Sequence, residues 1–241
     1  MRATARVVAQ SDGHAGTRLV ALRSEAPLIL RPTSEALYLV GGAGGPLGGD
    51  DLTVEIEVGP GARLTVRTAA ASIALPGTGP SCVRVRATVA AGGELSWLPE
   101  PVVAGQGCVH HMEAAVVMEG DARLVWREEL VLGRHAEPPG SVLTRASVDL
   151  DGSALLRHEL ALGPAHPSAA TSAVTAGARA VGSVLCVGRG WTSVERVLLG
   201  TTAAVLPLAR SGIQVVALAE GASGLRHLLA AGMRPATSQR V

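Results

Sequence analysis

The chain has 241 residues, 47% of them hydrophobic and 17% charged, with a formal net charge of +1. That is enough chain for one large domain with its own core, and it lies far from the disordered class. With almost no net charge, 2% aromatic residues and no Phe, it offers neither the field nor the stacking platforms that nucleic acid or an anionic membrane surface requires.

From the N-terminus, Met1–Gly13 holds no apolar run of signal-peptide length. Beyond it, apolar and polar residues alternate with period two. Strands are expected at Leu37–Val40, Leu52–Val58, Arg63–Thr68, Cys82–Val89, Glu94–Leu98, Met112–Met118, Leu124–Leu132, Ser147–Leu150 and Leu155–Leu160. Gly, Pro and Asp clusters separate them. A glycine turn followed by Leu recurs at Leu64, Leu95, Leu124, Leu155 and Leu185, spaced by 31, 29, 31 and 30 residues. Stacked coils and an ordinary sandwich of hairpins both account for that spacing, and neither is compatible with a doubly wound α/β sheet.

The last third differs. "EGASGLRHLLAAGM" predicts a short helix with Ser223 as N-cap, Leu225, Leu228 and Leu229 on one face and Gly232 as stop. A second helix is expected near Thr192–Leu199. The apolar stretch Thr202–Ala219 contains Pro207, Arg210 and Gln214, so it is not a bilayer span. The expectation is therefore a single, mainly β domain over residues 1–241, stacked or sandwich-like, with about two helices in its C-terminal third and a frayed tail from about residue 234. Three distant cysteines, Cys82, Cys108 and Cys186, with no C-x-x-C, read as buried thiols of a cytoplasmic protein.

The stretch "GGAGGPLGGDDL" (41–52) raises the question of phosphate binding. A P-loop needs a lysine, and all 21 basic residues here are Arg. A dinucleotide fingerprint fails because its third glycine falls on Leu47 and an alternating strand, not a helix, follows. A tight turn that presents Asp50 remains. Cys108 and His110 carry metal-ligand chemistry, although His110 and His111 diverge on a strand. The pairs Asp50/Asp51 and Glu128/Glu129 diverge likewise. No nucleophile elbow or zinc-protease motif occurs. A β-rich hydrolase around Asp50, Glu129 and Cys108/His110, or a carbohydrate-binding β-module, are the alternatives these residues leave open.

Three segments, "GGPLGGDDLTVEIEVGPGARLTVRT" (44–68), "GGELSWLPEPVV" (92–103) and "ARLVWREELVLGRHAEPPG" (122–140), resemble the UreD (UreH) family of urease accessory proteins in order and spacing. The matching motif positions include Gly48, Gly49, Asp50, Thr68, Pro99, Glu129, Gly133 and Arg134. The chain departs from the family pattern at "AAASIAL", which is shorter, and at "EPPGS", where Glu137 stands near an expected Gly-Glu. The resemblance implies a non-enzymatic scaffold that binds urease apoprotein and recruits a UreF-type protein and, through it, a UreG-type GTPase. It implies no tightly bound cofactor and transient nickel passing through the interior. Asp50 and Glu129 become candidates for nickel contact, and Arg134 for an ion pair with a carboxylate.

Overall fold

The computed structural model describes residues 1–14, 16–166, 172–191 and 195–233. Strands β1 (Arg2–Ser11) and β2 (Thr17–Arg23) form one antiparallel hairpin, β3 (Leu28–Pro32) and β4 (Leu37–Gly41) a second. The chain then coils. β5 (Asp51–Val58), β6 (Arg63–Thr68) and β7 (Ser72–Ala74) make one turn, and β8 (Ser81–Val89), β9 (Glu94–Leu98) and β10 (Val102–Ala104) the next. β11 (Val109–Met118) and β12 (Arg123–Leu132) make a third. A hairpin of β13 (Ser141–Leu150) and β14 (Ser153–Leu162) closes one sheet. After the single helical turn α1 (Ser172–Thr175), β15 (Ala180–Val187), β16 (Val197–Leu198), β17 (Ala203–Pro207) and β18 (Gly212–Ala219) extend the other, and helix α2 (Ala222–Gly232) follows.

The first sheet runs β14-β13-β11-β8-β5-β1-β2 and the second β16-β17-β18-β15-β12-β9-β6-β4-β3. In the centre of both, successive coils pair in parallel: β1, β5, β8, β11 and β13 in one, β4, β6, β9 and β12 in the other. This resolves the leucine repeat in favour of stacked coils. Leu64 lies beside Leu95 and Leu95 beside Leu124. The repeat then stops being structural, because Leu155 belongs to the closing hairpin and Leu185 to β15, which pairs antiparallel with β12. Each coil turns at a glycine with positive φ (Gly61, Gly92, Gly120), a backbone region that costs glycine nothing.

The two sheets bury a large aliphatic core and a smaller cluster around Leu130, Val142 and Leu162. Val54, Ile56, Val66, Val89, Leu95, Val116 and Leu124 are almost wholly enclosed, each at the inward position of an alternating strand. Trp97 and Trp126 stack across the β9–β12 pair, with ring centroids 5.4 Å apart. Helix α2 covers the outer face of the second sheet through Leu225 and Leu229, which pack with Val184, Val215 and Ala217. It starts two residues earlier than expected, and its N-cap is Gly221 rather than Ser223, with no side-chain cap. The second helix expected near 192–199 is replaced at Val197–Leu198 by a strand paired with β17; residues 192–194 and the tail from 234 lie outside the described residues. No helix among the described residues is long and apolar enough to cross a membrane.

The glycine-rich loop before β5 is locked to the loop after β7. The Gly48 N–H donates to Leu75 O and the Leu75 N–H to Pro46 O. A Cβ on Gly48 would lie 2.4 Å from Gly77 N and 2.5 Å from Gly79 O, so only glycine lets the two backbones meet. Gly49, at φ +92, then delivers the chain to Asp50. Gly48→Ala should therefore destabilise the fold by about 1–3 kcal/mol through overpacking, read as a lower urea midpoint with an unchanged slope. A wild-type midpoint would show that the loops do not bear on each other.

Candidate functional site

A cavity of about 460 Å³ lies between the sheets where the second sheet stops pairing. The β6–β9 ladder ends at Arg67 and Leu98, and pairing resumes between β7 and β10 at Ser72 and Val102. Ala69–Ala71 and Pro99–Pro101 fill the breaks in neighbouring coils. Pro99 and Pro101 have no N–H to offer a ladder. Thr68 ties the breaks together: its Oγ1 accepts from the Glu100 N–H at 2.8 Å and donates to Ala70 O at 3.0 Å. Strand β12 passes the gap unbroken, pairing with β9 up to Trp126 and with β10 from Leu130. Arg127, at the gap, donates to Pro99 O at 2.7 Å and Leu98 O at 3.3 Å.

Asp50, Ser81 and His110 occupy the same level of three successive coils of the facing sheet. Asp50 borders the cavity. Its Oδ1 accepts from the Met1 amino group at 2.7 Å and its Oδ2 from the Leu47 N–H at 2.9 Å. Partial burial works to raise its pKa, but these two hydrogen bonds prevail and hold the carboxyl below the usual range. Ser81 Oγ and His110 Nδ1 are 2.8 Å apart, and both side chains are enclosed. Burial, with a minor contribution from His111, lowers the His110 pKa to about 4, so the ring is neutral at physiological pH. Cys108 lies instead among Ala104, Leu132, Val142 and Leu162; burial raises its thiol pKa, and it does not border the cavity. Cys108 and His110 thus do not meet, and among the described residues no three His, Cys, Asp or Glu side chains converge as a ligand set.

Alternation on β12 separates its two glutamates. Glu128 has the inward parity of Leu124, Trp126 and Leu130 and borders the cavity, with the Trp126 indole N–H donating to its Oε1 at 3.0 Å. It also borders a groove of about 600 Å³ near Leu160 and Val216, and its remaining exposure opens on these spaces. Burial raises its pKa, partly offset by the indole hydrogen bond. Glu129 points outward under α2, yet its side chain is 0% exposed. Arg226 of α2 donates to both its oxygens, Nε to Oε1 at 3.2 Å and Nη2 to Oε2. The same guanidinium reaches Glu100 at 3.0 and 3.1 Å. Arg127 lies 3.8 Å from each glutamate, and its Nε makes no hydrogen bond.

Of the residues singled out by sequence, the structure brings Asp50, Thr68, Pro99, Glu129 and His110 to one cavity. Gly48 and Gly49 shape the loop that presents Asp50. Gly133 and Arg134 stand apart at the end of β12, where Arg134 donates to Glu137 at 2.7–2.9 Å. Those hydrogen bonds hold the Glu137 carboxyl at about 2. Sequence reasoning noted Glu128 only as one of a diverging pair and missed Ser81, Glu100, Arg127 and Arg226. The inward parity of Glu128 was readable from Leu124 and Trp126, whereas nothing local linked Arg226 to a residue 97 positions away.

A family model described as UreD urease accessory protein matches residues 1–241. The chain belongs to the UreD family. The match reaches well beyond residues 44–140, where the motifs lie. A urease accessory protein UreD of Streptomyces avermitilis is 46% identical, the alignment covering 95% of each chain. One from Parafrankia sp. is 43% identical over 95% of this chain and 86% of its own length, and UreD 3 of Streptomyces griseus is 44% identical over 97% and 96%. As a UreD-family member the protein is an accessory protein rather than a β-rich hydrolase or a carbohydrate-binding module.

Two outcomes follow from the charges of this UreD-family cavity. Arg226→Ala leaves an enclosed carboxylate facing only Arg127, and should cost on the order of 2–3 kcal/mol, below the ~3–5 kcal/mol of a wholly enclosed pair because Arg226 is more than a third exposed. Adding Glu129→Gln should recover part of the loss in urea melts; no recovery would break the assigned pairing. For Glu128 the folded pKa lies above the unfolded one, so the native state keeps the proton longer and stability falls as pH rises from the usual carboxylate value through the raised one. Glu128→Gln should abolish that fall and be the more stable protein at neutral pH. A wild-type pH profile in the variant would contradict the enclosed placement.

Proposed function

We propose that this UreD-family protein binds the urease apoprotein and passes nickel toward its active site through the cavity between the sheets, in the cytoplasm and together with UreF-type and UreG-type partners. The observation that carries this reading is that Asp50 and Glu128, which lie on opposite sheets, border the same cavity in a member of a urease accessory family. A borderline divalent cation crossing a protein interior needs oxygen or imidazole donors along its way. Asp50 supplies an ionised carboxylate. Glu128 supplies one that burial favours in the neutral form and that a cation would ionise, since metal binding displaces protons from its ligands. Glu129 borders the same space, and in this scheme it serves both as a wall of the path and as the anchor of α2 through Arg226. Nickel is the cargo here, not a resident cofactor.

The test is the nickel content of urease matured in cells that carry the urease genes with or without this chain. Asp50→Asn and Glu128→Gln should each lower nickel per urease on the order of 10-fold, while the variants still co-purify with the apoprotein. Normal nickel loading in the complete absence of the chain would refute the function. Normal loading with both variants would refute the path.

A further inference from the structure

His110 is 1% exposed, and among the described residues only one of its ring nitrogens has a hydrogen-bond partner. Nδ1 meets Ser81 Oγ; Nε2 makes no hydrogen bond to the protein, and the ring lines the cavity. A core position on β11 would be filled more simply by an aliphatic side chain like those of Val116 and Ala114 on the same face. The arrangement has the form of a metal ligand awaiting its ion. Ligating histidines characteristically engage the second ring nitrogen in a fixed hydrogen bond that sets tautomer and orientation. When Ser81 Oγ accepts from Nδ1–H, the Nε2 lone pair faces the cavity.

We propose that His110 is an imidazole ligand for the divalent cation inside the cavity, with Ser81 as its positioning residue. This rests on the nickel-transfer reading and deepens it by naming the nitrogen donor between two carboxylates. His110 sits two coils from Asp50, roughly 10 Å at a strand spacing of about 4.8 Å. Met112, two residues on, borders the same cavity, and so does Glu128 from the opposite sheet. Imidazole is a better partner than water for a borderline cation such as Ni²⁺. No third Cys, His, Asp or Glu completes a cage among the described residues. A donor set spread along a cavity suits a cargo that must leave again, because transit requires binding firm enough to enter and loose enough to exit.

The experiment varies nickel in the growth medium and reads nickel per urease matured with each full-length variant. His110→Asn and His110→Ala should raise the nickel concentration needed for half-maximal loading by about 10-fold or more, with Ser81→Ala intermediate. Loading at saturating nickel and co-purification with the apoprotein should stay near wild type. In a cell-free maturation mixture, added imidazole should restore loading by His110→Ala, an effect that a merely structural histidine would not produce. Should His110→Ala fail to fold, His110→Asn and Ser81→Ala decide the matter. Wild-type nickel dependence in His110→Asn, with Asp50→Asn still impaired, would overturn the role of His110 and leave nickel transfer standing. Equal loading with and without the wild-type chain would instead overturn nickel transfer itself.

Discussion

Parallel sheets closed over a common interior need a donor and an acceptor on every rung, and Pro99 and Pro101 withdraw two donors from the second sheet. The consequences radiate from that loss. The ladder parts for a few residues, the polar groups at the gap must find other partners, and the interior opens to about 460 Å³ behind it. Thr68 and Arg127 satisfy the carbonyls and amides that the sheet abandons. Glu100, carried between the two prolines, turns toward Arg226. A cavity, a charged cluster and a docked helix thus share one origin in the backbone.

The charges near the gap fall into two groups that behave differently. Outside the sheet, Glu100 and Glu129 face Arg127 and Arg226, two negative against two positive, so the enclosed Glu129 is compensated and its removal or that of Arg226 is felt. Inside, Glu128 has, among the described residues, only the Trp126 indole N–H, and burial raises its pKa. His110 is likewise kept neutral by burial. Around Glu128 and His110 the interior therefore carries ligand groups without carrying much charge, whereas the Asp50 carboxylate at its border is already paired with the Met1 amino group. The outer cluster already holds its cation, the guanidinium of Arg226.

Core composition favours this hollow. With no Phe and only three Trp in the chain, the inter-sheet space is filled by Val, Leu and Ala, and Ala114 takes an inward position on the cavity wall where a larger side chain would narrow it. Trp97 and Trp126 are the exception. Stacked on each other, they hold the last β9–β12 rung before the gap, and the Trp126 indole donates to Glu128.

The period-two alternation, the glycine turns and the near-constant leucine spacing are local properties, and they were sufficient to place β5, β6, β8, β9 and β12 to within a residue or so, and the glycine-rich loop to mark Asp50. Strand parity even contained the inward direction of Glu128, although the motif resemblance drew the eye to Glu129. Parity relates neighbours on one strand and says nothing about which coils stack. That Asp50, Ser81 and His110 share a level, that Cys108 leaves His110 for another cluster, and that Arg226 reaches Glu129 across 97 residues are matters of register and helix docking. Only the tertiary structure decided them, because they depend on which apolar faces are buried against each other, and many arrangements of the same alternating strands would bury the same residues.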